Sequence, residues 1–168
     1  MLPEAEPLRE VRADGRDGLP DAVLCSTTPV VLRGLVAHWP MVAAARDSMR
    51  AAATYLRGLE NPDAPPVIAT VGAPQIGGRV FYNDDLSGMN FRQEQIPLRV
   101  VLDTLFKYAT HEAPPMIYVA STTVDTWLPR FRAENDLPLG RRDPLASIWI
   151  GNRTRIAAHQ DVPENIAC

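Results

Sequence analysis

The stretch of sequence that decides the fold runs WIGNRTRIAAHQDVPENIAC, from Trp149 to Cys168. Within it, His159 and Asp161 are two positions apart. In an extended strand, the side chains of residues i and i+2 emerge on the same face. If this segment forms a strand, an imidazole nitrogen and a carboxylate oxygen can converge on one metal ion.

The pair His159 and Asp161 fits a familiar set of metal ligands. A histidine and a carboxylate are two of the three ligands in the 2-His-1-carboxylate triad of non-haem Fe(II) sites, which leaves open coordination positions. A structural histidine on an unrelated β-strand is the alternative, because His-x-Asp triplets also arise by chance. Of the other histidines, His38 precedes Trp39-Pro40 in a predicted turn, and His111 lies in a predicted polar loop before Pro114-Pro115. Both positions favour structural or solvent-exposed roles.

The composition describes one soluble globular domain. The chain has 168 residues, 46% of them hydrophobic, and a formal net charge of −3 at pH 7, which fits a single core and argues against nucleic-acid binding. Cys25 and Cys168 form neither a disulfide framework nor a metal motif. No signal peptide and no apolar run of about 18 residues is present, so the pattern predicts a cytoplasmic protein that does not bind membranes.

The spacing of apolar residues predicts a mainly β fold with flanking helices. Residues 1–27 are predicted to be an irregular lead-in, polar and rich in Gly, Pro and Asp. Strands are predicted at 30–33, 67–71, 80–82 and 116–120, from Ile148 onward, and again at His159 and Asp161. Helices are predicted from Ser48 to about Leu59 and after Pro97, where the apolar stripe is Leu98, Val101, Leu102, Leu105 and Phe106.

Two segments more than a hundred residues apart resemble the cupin-like Jumonji-C family of oxygenases, in particular its asparaginyl hydroxylase branch. The first is PVVLRGLVAHWP, residues 29–40, in which a strand leads into a Trp-Pro turn. The second is IWIGNRTRIAAHQD, residues 148–161, in which an apolar strand, a polar turn and His-x-Asp are followed by Asn165. The resemblance implies a double-stranded β-helix, the cupin jelly roll, with helices packed outside it.

The same resemblance implies Fe(II) as the metal and 2-oxoglutarate as the co-substrate. His159 and Asp161 occupy the positions of the iron ligands, and Asn165 that of an asparagine near the iron and the chelating end of 2-oxoglutarate. Tyr118 resembles a strand tyrosine that contacts the distal carboxylate, for which a phenol O–H is a suitable donor. A half-buried core tyrosine is the alternative at this position.

Two departures from the family pattern qualify what the resemblance implies. Ile156 stands where the asparaginyl hydroxylase branch has a hydroxyl-bearing threonine, and isoleucine cannot hydrogen-bond a carboxylate; Arg153 or Arg155 are candidate cationic substitutes. In the family, a basic residue and the second iron-binding histidine follow later in the chain, whereas no histidine follows Asp161 here. The resemblance therefore implies that residues 28–168 are the N-terminal portion of such a domain, a truncated barrel that is inactive alone.

The functional expectation is thus part of an Fe(II)- and 2-oxoglutarate-dependent dioxygenase that hydroxylates a protein side chain or a small molecule. A homodimer through the region that would follow Cys168 is a further expectation. The main alternative is a non-catalytic cupin-like module that binds a ligand or partner, because a fold alone does not establish activity. A metal-dependent isomerase of the wider cupin class would call for additional histidines near His159, which the sequence lacks.

Overall fold

The computed structural model of this chain describes residues 7–159, 161 and 165–168. The α-helices in these residues are α1 (Asp21–Leu24), α2 (Pro40–Asp47), α3 (Met49–Leu59), α4 (Leu98–Lys107) and α5 (Val124–Trp127). The β-strands are β1 (Arg9–Arg12), β2 (Val30–Arg33), β3 (Val67–Gly72), β4 (Arg79–Val80), β5 (Phe91–Ile96), β6 (Met116–Thr123), β7 (Ser147–Gly151) and β8 (Arg155–Ile156). Within the described ranges, no helix is long and apolar enough to cross a bilayer.

A four-stranded antiparallel sheet, in the order β5-β3-β6-β7, forms the centre of the fold. Thr70 of β3 lies between Gln93 of β5 and Tyr118 of β6, and Tyr118 lies opposite Gly151 of β7. Because successive side chains of a strand point to opposite faces, these four residues share one face of the sheet. Their neighbours in each strand point to the other face.

The helices cover that other face and build the core with it. The buried residues of this layer are Val67, Ala69, Ile117 and Val119 from the sheet, Leu56 from α3, Leu98, Val101 and Leu102 from α4, Val124 from α5, and Leu128 and Phe131 beyond it. Val119 and Leu128 are 0% exposed. Full burial of an aliphatic side chain contributes about 1.5–3 kcal/mol, so the fold depends on this layer.

The two long helices begin where the sequence predicts. Ser48 caps α3, because its Oγ accepts a hydrogen bond from the Ala51 N–H over 3.0 Å. In α4, the predicted stripe is buried at Leu98, Val101 and Leu102. Phe106 differs: it is 39% exposed, and the Arg50 guanidinium of α3 lies 5.3 Å from its ring centre, so a cation–π contact takes the place of core packing.

The opposite face of the sheet is much more open. Ile68 of β3 and Trp149 of β7 are 57% and 55% exposed on this side. Thr70 is buried between its neighbours, and Tyr118 is half-buried. This open face carries the candidate functional site.

A tight turn after β7 brings the following residues to the open face. The side chain of Asn152 fixes this turn, accepting a hydrogen bond from Ile117 N–H over 2.8 Å and donating one to the Pro115 carbonyl over 3.0 Å. β8 then pairs in parallel with β4. The approach is close at Gly78, where a Cβ would lie 2.2 Å from the Arg153 carbonyl oxygen, so only glycine fits there.

The structure corrects three expectations. The lead-in is not irregular throughout, because β1 pairs in parallel with β2 and Arg33 forms an ion pair with Glu10 at 2.6 Å. The fold is mixed α/β and not mainly β, since helices and strands occupy similar shares of the described chain. The last strand, β8, ends at Ile156 because its partner β4 is only two residues long, so His159 and Asp161 lie beyond it in an irregular segment.

Candidate metal and co-substrate site

A cavity of about 600 Å³ lies between the open face of the sheet and the segment after β8. Its lining consists of Tyr118, Ser121, Trp149 and Gly151 on the sheet side and Thr154, Ile156, His159, Asp161, Asn165, Ile166 and Ala167 on the other side. The four site residues expected from the sequence, Tyr118, His159, Asp161 and Asn165, therefore all line one cavity. A smaller cavity of about 260 Å³ between β5 and α4 contains none of them.

The imidazole ring of His159 is oriented by a backbone contact at Nδ1. Its Nδ1 lies 2.9 Å from the carbonyl oxygen of Ala157. A carbonyl oxygen can only accept a hydrogen bond, so Nδ1 is the donor in this contact and Nε2 is the ring nitrogen left to bind a metal. Ligating histidines commonly donate their other N–H to a backbone carbonyl in this way, which fixes the orientation of the ring.

The two carboxylate oxygens of Asp161 face two different neighbouring side chains. Oδ2 accepts a hydrogen bond from Asn165 Nδ2 over 3.1 Å. Oδ1 lies 3.6 Å from His159 Nε2. The carboxylate is therefore oriented by Asn165 and presents its free oxygen towards the free nitrogen of the imidazole.

The arrangement of these two side chains fits two positions of a divalent metal site. At 3.6 Å, Nε2 and Oδ1 are too far apart for a hydrogen bond. Two ligand atoms in adjacent positions of an octahedral ion, each about 2.1 Å from the ion, are about 3.0 Å apart. A small movement of Nε2 and Oδ1 would therefore bring both atoms into bonding range of one ion. A nitrogen and a carboxylate oxygen suit first-row metals such as Fe(II).

The pair is accessible but not a complete metal site. The side chains of His159 and Asp161 are 62% and 53% exposed, which leaves an ion a path from solvent. Among the residues that the structure describes, no cluster of three His, Cys, Asp or Glu side chains could hold a metal ion. The described part of the chain therefore supplies no third His, Cys, Asp or Glu ligand near this pair.

Tyr118 places a hydroxyl donor in the same cavity. Burial raises the pKa of its phenol above the ordinary value, so the group stays protonated at neutral pH and can donate a hydrogen bond. Gly151 makes room for the ring, because a Cβ at that position would lie 3.1 Å from Tyr118 Cδ2. The cavity thus combines a metal-type pair with a neutral donor on the sheet.

Sequence reasoning missed two further hydroxyl groups in the cavity, those of Ser121 and Thr154. Ser121 belongs to β6 and would point to the core if the strand alternated strictly. A bulge between Val119 and Thr122 inserts one extra residue opposite β7, so Ser121 joins Tyr118 on the open face. Nothing in the string Ala120-Ser121-Thr122 signals this bulge, because it depends on the pairing with β7.

The cavity lining offers no positively charged side chain to bind a carboxylate, among the described residues. Ile156 is 43% exposed and lines the cavity. Neither arginine offered as a cationic substitute does so: Arg153 Nη1 donates to the Glu112 carbonyl over 2.6 Å, and Arg155 is exposed elsewhere. No Lys or Arg among the described residues lines the cavity, so hydroxyl groups are its main donors.

The remaining histidines lie elsewhere in the structure. His38 Nδ1 is 3.7 Å from Asp14 Oδ1. His111 contacts Tyr108 edge to face, with ring centres 5.0 Å apart. Neither lines the cavity, in line with the structural and solvent-exposed roles expected for them.

Replacing Asn165 with alanine is expected to weaken divalent-metal binding about tenfold, because partners that orient a metal ligand typically contribute 10–100-fold to affinity. The change removes the hydrogen bond to Asp161 Oδ2 and frees the carboxylate to rotate. Titration of the chain with Mn(II), followed by the electron paramagnetic resonance signal of the free ion, measures the effect. Ile166→Ala, also in the cavity lining but without a polar side-chain atom, is the matched control and should bind as the unaltered chain does; equal binding by both variants would contradict a role for Asn165.

Comparison with known protein families finds a match to this chain. A family model described as a cupin-like domain matches residues 17–168, a range that includes every residue of the cavity. No curated protein and no solved structure matches the chain.

Proposed function

The chain belongs to the cupin-like domain family, and from this premise we propose that it carries part of the metal and co-substrate site of an Fe(II)- and 2-oxoglutarate-dependent hydroxylase. The observation that carries the proposal is the approach of His159 Nε2 to Asp161 Oδ1 inside the cavity. The substrate class that fits is a protein side chain or a small molecule. The finer assignment to the Jumonji-C branch and the architecture of a double-stranded β-helix belong to the same proposal.

The position of the helices supports the barrel architecture. They cover one face of the central sheet, while the candidate site lies on the other face. In a double-stranded β-helix with helices packed outside, the inner face of the sheet carries the site. The exposure of Ile68 and Trp149 on this face is what half of a barrel would leave uncovered.

In the proposed site, His159 and Asp161 would hold the iron, and the contacts from Ala157 and Asn165 keep these two side chains oriented. Tyr118 would donate its O–H to a carboxylate of 2-oxoglutarate, and Ser121 adds a second hydroxyl group to the lining of the same cavity. The bound iron and its co-substrate supply the oxidising chemistry, while the protein supplies position and orientation. We propose that the third iron ligand and a cation for the distal carboxylate come from outside the described residues.

We expect 2-oxoglutarate to bind this chain only when a divalent metal is present, because the 2-oxo acid would chelate the metal held by His159 and Asp161. Tyr118→Phe should weaken this binding about fivefold to tenfold, which corresponds to the loss of one hydrogen bond of about 1–1.5 kcal/mol. Calorimetric titration with 2-oxoglutarate, with and without Mn(II), measures both effects. Tyr82→Phe, an exposed tyrosine outside the cavity lining, is the matched control; metal-independent binding of 2-oxoglutarate would contradict the proposal.

The second candidate function is a non-catalytic cupin-like module that binds a ligand or a partner. Ile156 favours it, because an apolar side chain lines the cavity where the asparaginyl hydroxylase branch carries a hydroxyl group. The two candidates differ in turnover. Iron-dependent formation of succinate from 2-oxoglutarate by a polypeptide that contains a complete metal site supports the hydroxylase, whereas metal binding without succinate formation supports the binding module.

A further inference from the structure

We infer that two copies of this chain associate by pairing their β5 strands antiparallel, about a two-fold axis that passes through Gln93. The partner is a second copy of the chain, and the interface is independent of the metal site on the open face of the sheet. The inference rests on the free edge of β5, on the direction of its peptide groups and on the order of its charges.

β5 is an edge strand of six residues. It pairs with β3 alone, and along its outer side no other strand is found in the part of the chain that the structure describes. Its side chains at Arg92, Gln93 and Gln95 are exposed. An open edge of this length is a template for a further strand.

The hydrogen bonds at β7 establish the direction of the peptide groups across the sheet. Ile117 accepts a hydrogen bond from the Asn152 N–H over 3.2 Å, and its own N–H donates to the Asn152 side chain over 2.8 Å. The peptide groups of Ile117 therefore face β7. Because this direction alternates along an antiparallel strand, the peptide groups of Tyr118 face β3, where Thr70 lies opposite.

The same alternation continues to the free edge. Since Thr70 directs its peptide groups towards β6, it cannot also bond to Gln93, which lies opposite it on β5. Gln93 therefore directs its N–H and C=O outward, away from the sheet. Phe91 and Gln95, two positions to either side, do the same.

The charges on β5 are self-complementary about Gln93. Arg92 and Glu94 flank it and form an ion pair with each other within the strand, between Arg92 Nε and Glu94 Oε1. Their side chains are 69% and 40% exposed, so each remains accessible to a facing strand. In an antiparallel pair centred on Gln93, Arg92 of each copy lies directly opposite Glu94 of the other copy. Opposite charges on directly opposed residues stabilise a strand pair, and like charges destabilise it.

The peptide directions and the charges select the same register. Centring the axis on Gln93 also pairs Phe91 with Gln95 of the other copy, so that all three outward-directed residues form hydrogen-bonded pairs, with about six bonds in total. Centring it on Arg92 or Glu94 would instead oppose two like charges. If the axis passed between two residues, each residue with outward-directed peptide groups would face a residue of the other copy whose peptide groups point back to β3. Such a pair cannot form hydrogen bonds.

Charge reversal tests the interface and its register together. In sedimentation velocity experiments over a range of concentrations, the unaltered chain should form a species of twice the 18.5 kDa mass of one chain. Arg92→Glu and Glu94→Arg should each weaken self-association at least tenfold. An equimolar mixture of the two variants should restore association, because each acidic strand then faces a basic one, and the combined variant R92E/E94R should self-associate as the unaltered chain does.

A second pair of variants tests the backbone contribution. Gln93→Pro removes an N–H that points out of the sheet and makes no bond to β3, so the fold should survive while self-association falls at least tenfold. Gln93→Ala keeps that N–H and should retain the dimer. A chain that remains monomeric at millimolar concentration, or a dimer that none of these changes affects, would overturn the inference.

Discussion

A chain in which His159 is replaced by alanine is expected to lose Mn(II) binding at the cavity, by about 100-fold or more. This loss should exceed the 10–100-fold typical of residues that only orient a ligand, because the change removes one of two protein donors. Asp161→Ala should have the same effect, since the remaining imidazole would be a single neutral ligand. The free Mn(II) signal in electron paramagnetic resonance, followed through a titration, gives the affinities.

His111→Ala is the matched control for His159→Ala, because His111 is exposed and lies outside the cavity lining. It should bind Mn(II) as the unaltered chain does. Equal affinities for the His159 and His111 variants would contradict the assignment of His159 as a ligand.

Leu128→Ala is expected to destabilise the fold by about 2–5 kcal/mol, through lost burial and through the cavity left behind. Leu128 is 0% exposed and belongs to the layer between the helices and the sheet. Urea unfolding followed by circular dichroism measures the free energy of unfolding. The prediction tests whether the helix-covered face of the sheet holds the core.

Leu145→Ala makes the same chemical change at a residue that is 77% exposed. It should change the free energy of unfolding by no more than about 0.5 kcal/mol, as expected of surface substitutions. A similar loss of stability in both variants would mean that the covered face is not where the core lies.

The regular parts of this fold could be predicted because they depend on local pattern. The stripe of Leu98, Val101 and Leu102 identifies the buried face of α4, and Ser48 caps α3 as its position predicts. The alternation of β6 places Tyr118 on the face opposite to Ile117 and Val119. Each of these predictions follows from the periodicity of one segment and needs no knowledge of its partners.

The parts that could not be predicted depend on contacts between distant segments. The pairing of β1 with β2 joins Arg9 to Val30, and no signal in residues 1–27 identifies that partner. The bulge that turns Ser121 into the cavity arises from the pairing with β7. Helix α2 begins at Pro40, where the sequence predicts only a Trp-Pro turn.

In the candidate site, too, some features could be predicted from the sequence and others could not. The family resemblance singled out Tyr118, His159, Asp161 and Asn165, which all line one cavity, while their roles in binding stay predictions. The strand expected to carry His159 and Asp161 ends at Ile156, yet their side chains still approach each other. The acceptor for His159 Nδ1, the Ala157 carbonyl, is a backbone group that no sequence motif could identify.

The central claim is that His159 and Asp161 hold a divalent metal inside this cavity. An NMR titration with paramagnetic Mn(II), followed by the indole N–H signals of the three tryptophans, tests it most directly. Trp149 lines the cavity, whereas Trp39 and Trp127 pack against the core on the other side of the sheet. We predict that Mn(II) broadens the Trp149 signal at concentrations that leave the other two unchanged, and that His159→Ala removes this selectivity. Equal broadening of all three signals, or broadening of Trp149 that persists in His159→Ala, would contradict it.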